Sequence, residues 1–380
     1  MVPEGWEKAR FEEVTRIANG QVDPKVEPYS SMLHIGPENV TSHSGQLSGC
    51  KTGKELGLIS GKYEFDEQAI VYSKIRPNLN KVCRPKFHGL CSADMYPIWA
   101  KEGLDIDYLY HYMLSPGFFE TAIAMSMRTG MPKINRSDLN AVRIVLPPLP
   151  EQKKIAQILS TWDQAISATE RLLENSQQRK KGLMQQLLTG KKRLPGFEGE
   201  WENSILTEHC SVTTGNKDLQ NKVENGEYPF FVRSSNIERI DSYSFDGEAI
   251  LIPGDGRVGE IFHYIDGKFD FHQRVYKLSD FEGALGLFIY YYLKRFFKAE
   301  VIKNSVKATV DSLRMPVFTG MRIKLPSLEE QRQIVDVLSC SDKEIQAITQ
   351  RLYLLKQEKK ALMQQLLTGK RRVKVEADAA

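Results

Sequence analysis

Two stretches of the chain repeat an apolar residue every seven positions, each in two interleaved rows. Between about 150 and 189, one row is Leu159, Ile166, Leu173, Lys180 and Leu187, and the other Ile155, Trp162, Thr169, Ser176 and Leu183. Between about 328 and 368, the rows are Leu338, Ile345, Leu352, Lys359 and Leu366, and Ile334, Ser341, Ile348, Leu355 and Leu362. Residues three and four apart share a helix face, so two such rows make a coiled-coil seam, with Trp162 expected in its core. A polar interruption falls at the matching place in both stretches, Lys180 and Lys359, so each helix is the simplest partner for the other. At 1.5 Å per residue, about 40 residues make a rod of roughly 60 Å.

The ends of these helices are also written in the sequence. Ser327 and Glu330 have capping-box spacing, and Pro148 and Pro150 suit a first turn. Gly190 and Gly369 suit a left-handed stop, and the basic clusters 191–193 and 370–372 complement the negative helix end. The runs 179–181 and 356–360 read first as solvated faces and second as a docking surface for a partner.

The stretch LMQQLLTGK occurs at 183–191 and again at 362–370, an offset of 179. LPPLPEQKKIAQILS (146–160) aligns with LPSLEEQRQIVDVLS (325–339) at the same offset, and YEFDEQAIVY (63–72) with YSFDGEAILI (243–252) at 180. Trp6 and Gly20 match Trp201 and Gly215 in a fainter echo. Each half is a divergent block followed by a well-matched helix. Within the blocks, AIVYSKI (69–75) and AILIPG (249–254) read as short strands, and LDIDYLYHYML (104–114) and ALGLFIYYYLKRFF (284–297) as helices. The segments are 1–145, 146–192, 193–324 and 325–372, with a frayed tail at 373–380. The class is α+β, with a pseudo-twofold internal repeat.

Composition narrows the chemistry. The 380 residues exceed one ordinary core, and 41% hydrophobic with 26% charged residues is globular. The opening MVPEGWEKARF lacks the apolar core of a secretory signal, and the longest apolar run, 284–293, is too short to span a bilayer. A cytoplasmic protein with no membrane partner is expected. The five cysteines show no paired spacing, and the seven histidines no metal-ligand spacing. A net charge of +4 permits a polyanionic partner without requiring one.

GDGRVG (254–259) is a literal G-x-G-x-x-G, but the following EIFHYIDGKFDF reads as a strand that then turns, not as a helix. A strand-to-strand turn carrying Arg257 fits better than a dinucleotide site. No nucleophile elbow or phosphate-cradling loop appears either, so catalysis by this chain is not expected.

Loops next to the strands carry the polar chemistry suited to DNA. In the first block these are Lys74, Arg76, Asn78 and Lys81, then Ser92 and Asp94, then Arg128, Thr129 and Lys133. In the second they are Arg233, Ser234, Asn236, Arg257, His272, Gln273, Arg274 and Lys307. Arg suits guanine and Asn or Gln adenine, while Lys, Ser and Thr anchor phosphates. Arg128 aligns with Lys307, and Asp94 with Arg274.

With its L-P-x-L-x-E-Q helix openings (146–152 and 325–331) and duplicated LMQQLLTGK endings, the whole chain resembles the specificity subunit of type I restriction–modification systems. The resemblance implies two globular target recognition domains joined by two long antiparallel coiled-coil helices. Each domain would read half of a split, asymmetric site in double-stranded DNA, with the helices setting the gap. It implies two methylation subunits and two restriction subunits as partners, supplying adenine-N6 methylation and cleavage. This chain would bind no cofactor, while S-adenosylmethionine, Mg and ATP would belong to the partners. Alternatives are a methyltransferase-only or type IIB-like system, a coiled-coil scaffold for protein partners, or an enzyme using GDGRVG.

Overall fold

The computed structural model describes residues 3–126, 132–303 and 312–375. The chain divides into two compact units, one of residues 1–170 with 351–380 and the other of 171–350. These units differ from the segments expected from sequence. Each long helix is split between them, because each half belongs with the block it packs on.

Both units are built alike. In the first, Glu7–Arg10 pairs antiparallel with Arg143–Leu146; in the second, Glu202–Ile205 pairs with Arg322–Leu325. Each pairing ties the start of a block to the strand just before its long helix. The first unit also holds two four-stranded sheets, and the second one six-stranded sheet.

The apolar runs become central strands, Ile70–Ser73 and Phe245–Pro253. Successive strand residues face opposite ways, so an unbroken apolar run must bury both faces. Ile70 and Tyr72 join the main core of the first unit, and Ala69 and Val71 a second cluster. In the other unit Ile250 and Ile252 face one core, and Ala249 and Leu251 another. The expected helices form as Ile106–Leu114 and Gly286–Lys303. The turn expected within EIFHYIDGKFDF does not form. His263–Phe271 is one strand, with Gly267 paired to Gly247 and both at positive φ, where a side chain would be strained.

The long helices are Leu149–Leu187 and Leu328–Leu366, each of 39 residues. Within each unit their halves run antiparallel, because rising numbers on one meet falling numbers on the other. The lysines that interrupt the rows explain the register. In the first unit Lys359 pairs with Asp163, and in the second Lys180 pairs with Asp342. Both ammonium groups are largely buried, and burial raises the Asp163 carboxyl above its usual range although Lys359 opposes this. The neighbouring block completes each site. His111 packs against Ser160 at 3.1 Å, and burial pushes its imidazole down to about 3. At the equivalent place Tyr291 donates to Asp342 at 2.8 Å.

Some expectations need correction. Trp162 is only half-buried, since the adjacent Asp163 takes the place facing Lys359. The runs 179–181 and 356–360 are solvated as expected except at Lys180 and Lys359, which turn into the seam. Of the tail expected at 373–380, Val373 packs on the first core, and residues 376–380 lie outside the described residues.

The capping box at the second helix is half formed. The Glu330 N–H donates to Ser327 Oγ at 3.3 Å, but the Glu330 carboxylate is taken by Arg193 in two bonds of 2.7 Å. Arg193 also stands 6.0 Å from the Trp201 ring. The first unit repeats this arrangement with Arg372, Glu151 and Trp6, the guanidinium 5.6 Å from the ring. The basic cluster after each Thr-Gly therefore closes on the start of the other helix. Gly190 and Gly369 take the left-handed conformation that turns the chain there.

Glu330 is 1% exposed, so Arg193→Ala strands a buried carboxylate. The expected loss is about 3 kcal/mol, at the low end for such a change because the guanidinium is partly solvated. Arg372→Ala should cost less, since that side chain is 42% exposed and Trp6 Nε1 still donates to Glu151. Urea unfolding of the full chain tests the ranking, and equal losses contradict it.

Candidate nucleic-acid interface

Each unit carries a polar cluster just beyond its central strand, and both clusters hang on the same backbone frame. In the first, the Lys74 N–H donates to the Asp94 carbonyl at 3.0 Å and the Ile134 N–H to the Lys74 carbonyl at 2.9 Å. In the second, Gly254 donates to Arg274 at 2.7 Å and Leu313 to Gly254 at 2.6 Å. The turns correspond too. The Asp94 N–H meets Ser92 Oγ at 3.2 Å, and the Arg274 N–H meets His272 Nδ1 at 2.9 Å. Bridges Ile75–Lys133 and Asp255–Ser312 complete the match. Asp94 and Arg274 thus occupy one place in a shared loop and differ in charge.

The first frame brings together Lys74, Arg76, Ser92, Asp94 and Lys133. Arg76 has φ +48 and Asn80 φ +40, on either side of the 3-10 turn Pro77–Leu79. Left-handed backbone at non-glycine residues is costly and persists only where the surroundings enforce it. Here the Arg76 N–H is held by the Pro132 carbonyl at 3.0 Å. Arg76, Asn78, Asp94 and Lys133 are exposed, and their side chains have no ion pair among the described residues. Lys74 lies half-buried, 5.3 Å from the Tyr96 ring. Lys81 is turned inward, its ammonium donating to the Pro37 carbonyl, and Ser92 is occupied by the turn. Arg128 and Thr129 lie outside the described residues, as does Lys307 of the second block.

In the second unit Arg233 and Arg274 both approach Asp255 Oδ2, at 3.3 and 3.5 Å. Two guanidinium groups on one carboxylate leave the spot net positive. Gln273 donates to Asp218 Oδ2 at 3.0 Å. Ser234 turns on Asn236, whose side chain is exposed, and Arg257 is exposed beside Glu260 at 2.9 Å. His272 departs from expectation. It is 2% exposed, accepts the Arg274 N–H, and leaves Nε2 3.6 Å from Asp218, just beyond bonding distance. Burial, and then Arg233, lower its pKa, so the ring is neutral framework rather than exposed contact.

The carboxylates that hold these groups, Asp255 and Asp218, escaped the sequence reading. Asp255 sits inside GDGRVG, beside Arg257, whose cation has the more obvious DNA chemistry. No spacing rule links residue 255 to 233 or 274; only the fold brings them together. GDGRVG itself is a strand-to-strand connection, between Phe245–Pro253 and His263–Phe271. Among the described residues, no group of three or more His, Cys, Asp or Glu could hold a metal ion.

Residues 3–175 and 198–357 match the family described as type I restriction modification DNA specificity domain. The chain is similar to the EcoDI type I restriction enzyme specificity subunit of Escherichia coli, at 37% identity over 214 residues. That match covers 56% of this chain but only 46% of the relative, so it spans about half of that protein's length. It is 26% identical to the MjaVIII specificity subunit of Methanocaldococcus jannaschii, across 98% of this chain and 94% of that one. In fold it resembles the type I restriction–modification S subunit from M. genitalium, with TM-score 0.68 and 16% identity, covering 95% of this chain and 96% of that one. A chain from a type I R-M system structure gives TM-score 0.61 at 21% identity, covering 98% of this chain and all of the other.

Arg76 and Lys81 of the first loop should behave differently on duplex DNA. Arg76→Ala should lower the slope of log affinity against log salt by roughly one, as loss of a phosphate or base-edge cation does. Lys81→Met should leave the slope unchanged. Anisotropy titrations across a salt series measure both, and equal effects would refute the assignment.

Proposed function

The chain belongs to the type I restriction modification DNA specificity family, and we propose that it reads a split DNA target for partner subunits that methylate and cleave. In this reading each unit recognises one half-site of an asymmetric sequence in double-stranded DNA. The observation that carries it is the pair of matching loops with unlike side chains. One backbone frame holds Asp94 in one unit and Arg274 in the other, which suits one mode of approach to DNA and two different half-sites. Exposed lysines such as Lys133 position the duplex through phosphates, while Arg, Asn, Gln and Asp side chains face base edges.

The spacer role rests on helix continuity. Each 39-residue helix begins in one unit and ends in the other, with ion pairs of largely buried lysines fixing its register. Two methylation subunits and two restriction subunits are the proposed partners. They would bring S-adenosylmethionine, Mg and ATP, while this chain supplies DNA contacts and no cofactor site. Cytoplasmic placement accords with this reading; among the described residues, no helix is long and apolar enough to cross a membrane.

A matched insertion tests the spacer. Adding one heptad between Thr161 and Gln178, and another in the facing stretch between Glu344 and Lys359, lengthens each helix by about 10.5 Å. At 3.4 Å per base pair this is about three base pairs. Binding-site selection with the complete assembly should return the original half-sites, separated by a gap about three base pairs longer. An unchanged gap would refute the ruler.

A further inference from the structure

Asp94 and Arg274 differ in a way that predicts what each loop reads. Arg274 is held through Nη1, which lies 3.5 Å from Asp255 Oδ2. Its Nε and Nη2 form no bond among the described residues, so the side edge of the guanidinium remains available. That edge presents two parallel donors, the pattern that matches N7 and O6 of guanine in the major groove. Arg233 shares the same carboxylate oxygen, at 3.3 Å. Asp255 has a side chain 18% exposed, against 62% for Arg274 and 47% for Arg233, so it lies beneath them as an anchor. An arginine left free on a four-bond stem loses rotamer entropy on binding, and one tethered at Nη1 loses less.

At the equivalent place in the first unit, Asp94 is exposed and has no cation bound among the described residues. A carboxylate only accepts, and facing DNA it is repelled by phosphates. It gains only where a base offers a donor, and the major-groove donors are the exocyclic amines of cytosine and adenine.

Resting on the DNA-reading function above, we propose that this single loop position sets one base pair in each half-site. Arg274, positioned by Asp255, reads a guanine, and Asp94 reads the amino group of a cytosine or adenine.

The experiment compares the wild-type full chain with Arg274→Ala, Asp94→Asn and Asp255→Asn, each assembled with its methylation subunits. Binding is measured against a library randomised through both half-sites. Arg274→Ala should reduce preference at one guanine by roughly tenfold to a hundredfold, leaving the other half-site and the gap intact. Asp255→Asn should weaken preference at that same position by a smaller factor. Asp94→Asn should alter one position of the other half-site only. Arg274→Lys controls for simple loss of charge. It keeps the cation but not the two-donor edge, so it should also lose the guanine preference while retaining nonspecific binding.

A uniform loss of affinity with unchanged preference in Arg274→Ala would make Arg274 a phosphate contact and overturn the proposal. So would an unchanged base preference in Asp94→Asn. If the wild-type assembly selected no split target at all, the DNA-reading function would fail, a result distinct from failure of this assignment.

Discussion

A lysine in a coiled-coil seam is tolerable only where an acid meets it. Removing an ammonium group from water without a partner costs several kcal/mol, more than a local slip of apolar side chains would recover. Lys180 with Asp342 and Lys359 with Asp163 therefore do more than decorate the helices. An antiparallel pairing shifted by one residue would strand both lysines, as a single buried polar group fixes register in other coiled coils. The same register delivers Arg193 to Glu330 and Arg372 to Glu151, and so closes each helix end over a tryptophan.

Much of this scaffold was legible beforehand. The seven-residue rows located both helices to within a few residues, because burial of one face is a local pattern. The interrupting lysines were visible as interruptions, though not as ion pairs, since Asp163 and Asp342 lie off the apolar rows. Glu330 is only partly legible for a similar reason. Its capping-box spacing is local and half true, whereas its carboxylate answers to Arg193, 137 positions earlier. The strands AIVY and AILI were recognised as strands. Their position between two cores follows from the unbroken apolar run, but the sheets around them depend on pairings no short window contains.

The recognition loops divide differently. Their backbone frame recurs at the sequence offset of the repeat, so the correspondence of Asp94 with Arg274 was already present in the alignment. What sequence could not supply is the sorting of exposed from buried groups. His272 and Lys81 have side chains suited to DNA, and the fold turns both inward to hold the loop. Asp255 looks unsuited to DNA, and the fold makes it the anchor of two arginines. The frame is held by backbone bonds, so its side chains differ between the two units without disturbing it.

The most direct measurement maps methylated adenines across the genome of a host expressing this chain with its methylation subunits. A two-part, asymmetric motif with a fixed, unspecified gap is the expected result. A contiguous or palindromic motif, or methylation without sequence preference, would contradict recognition by two separate units on a rigid spacer.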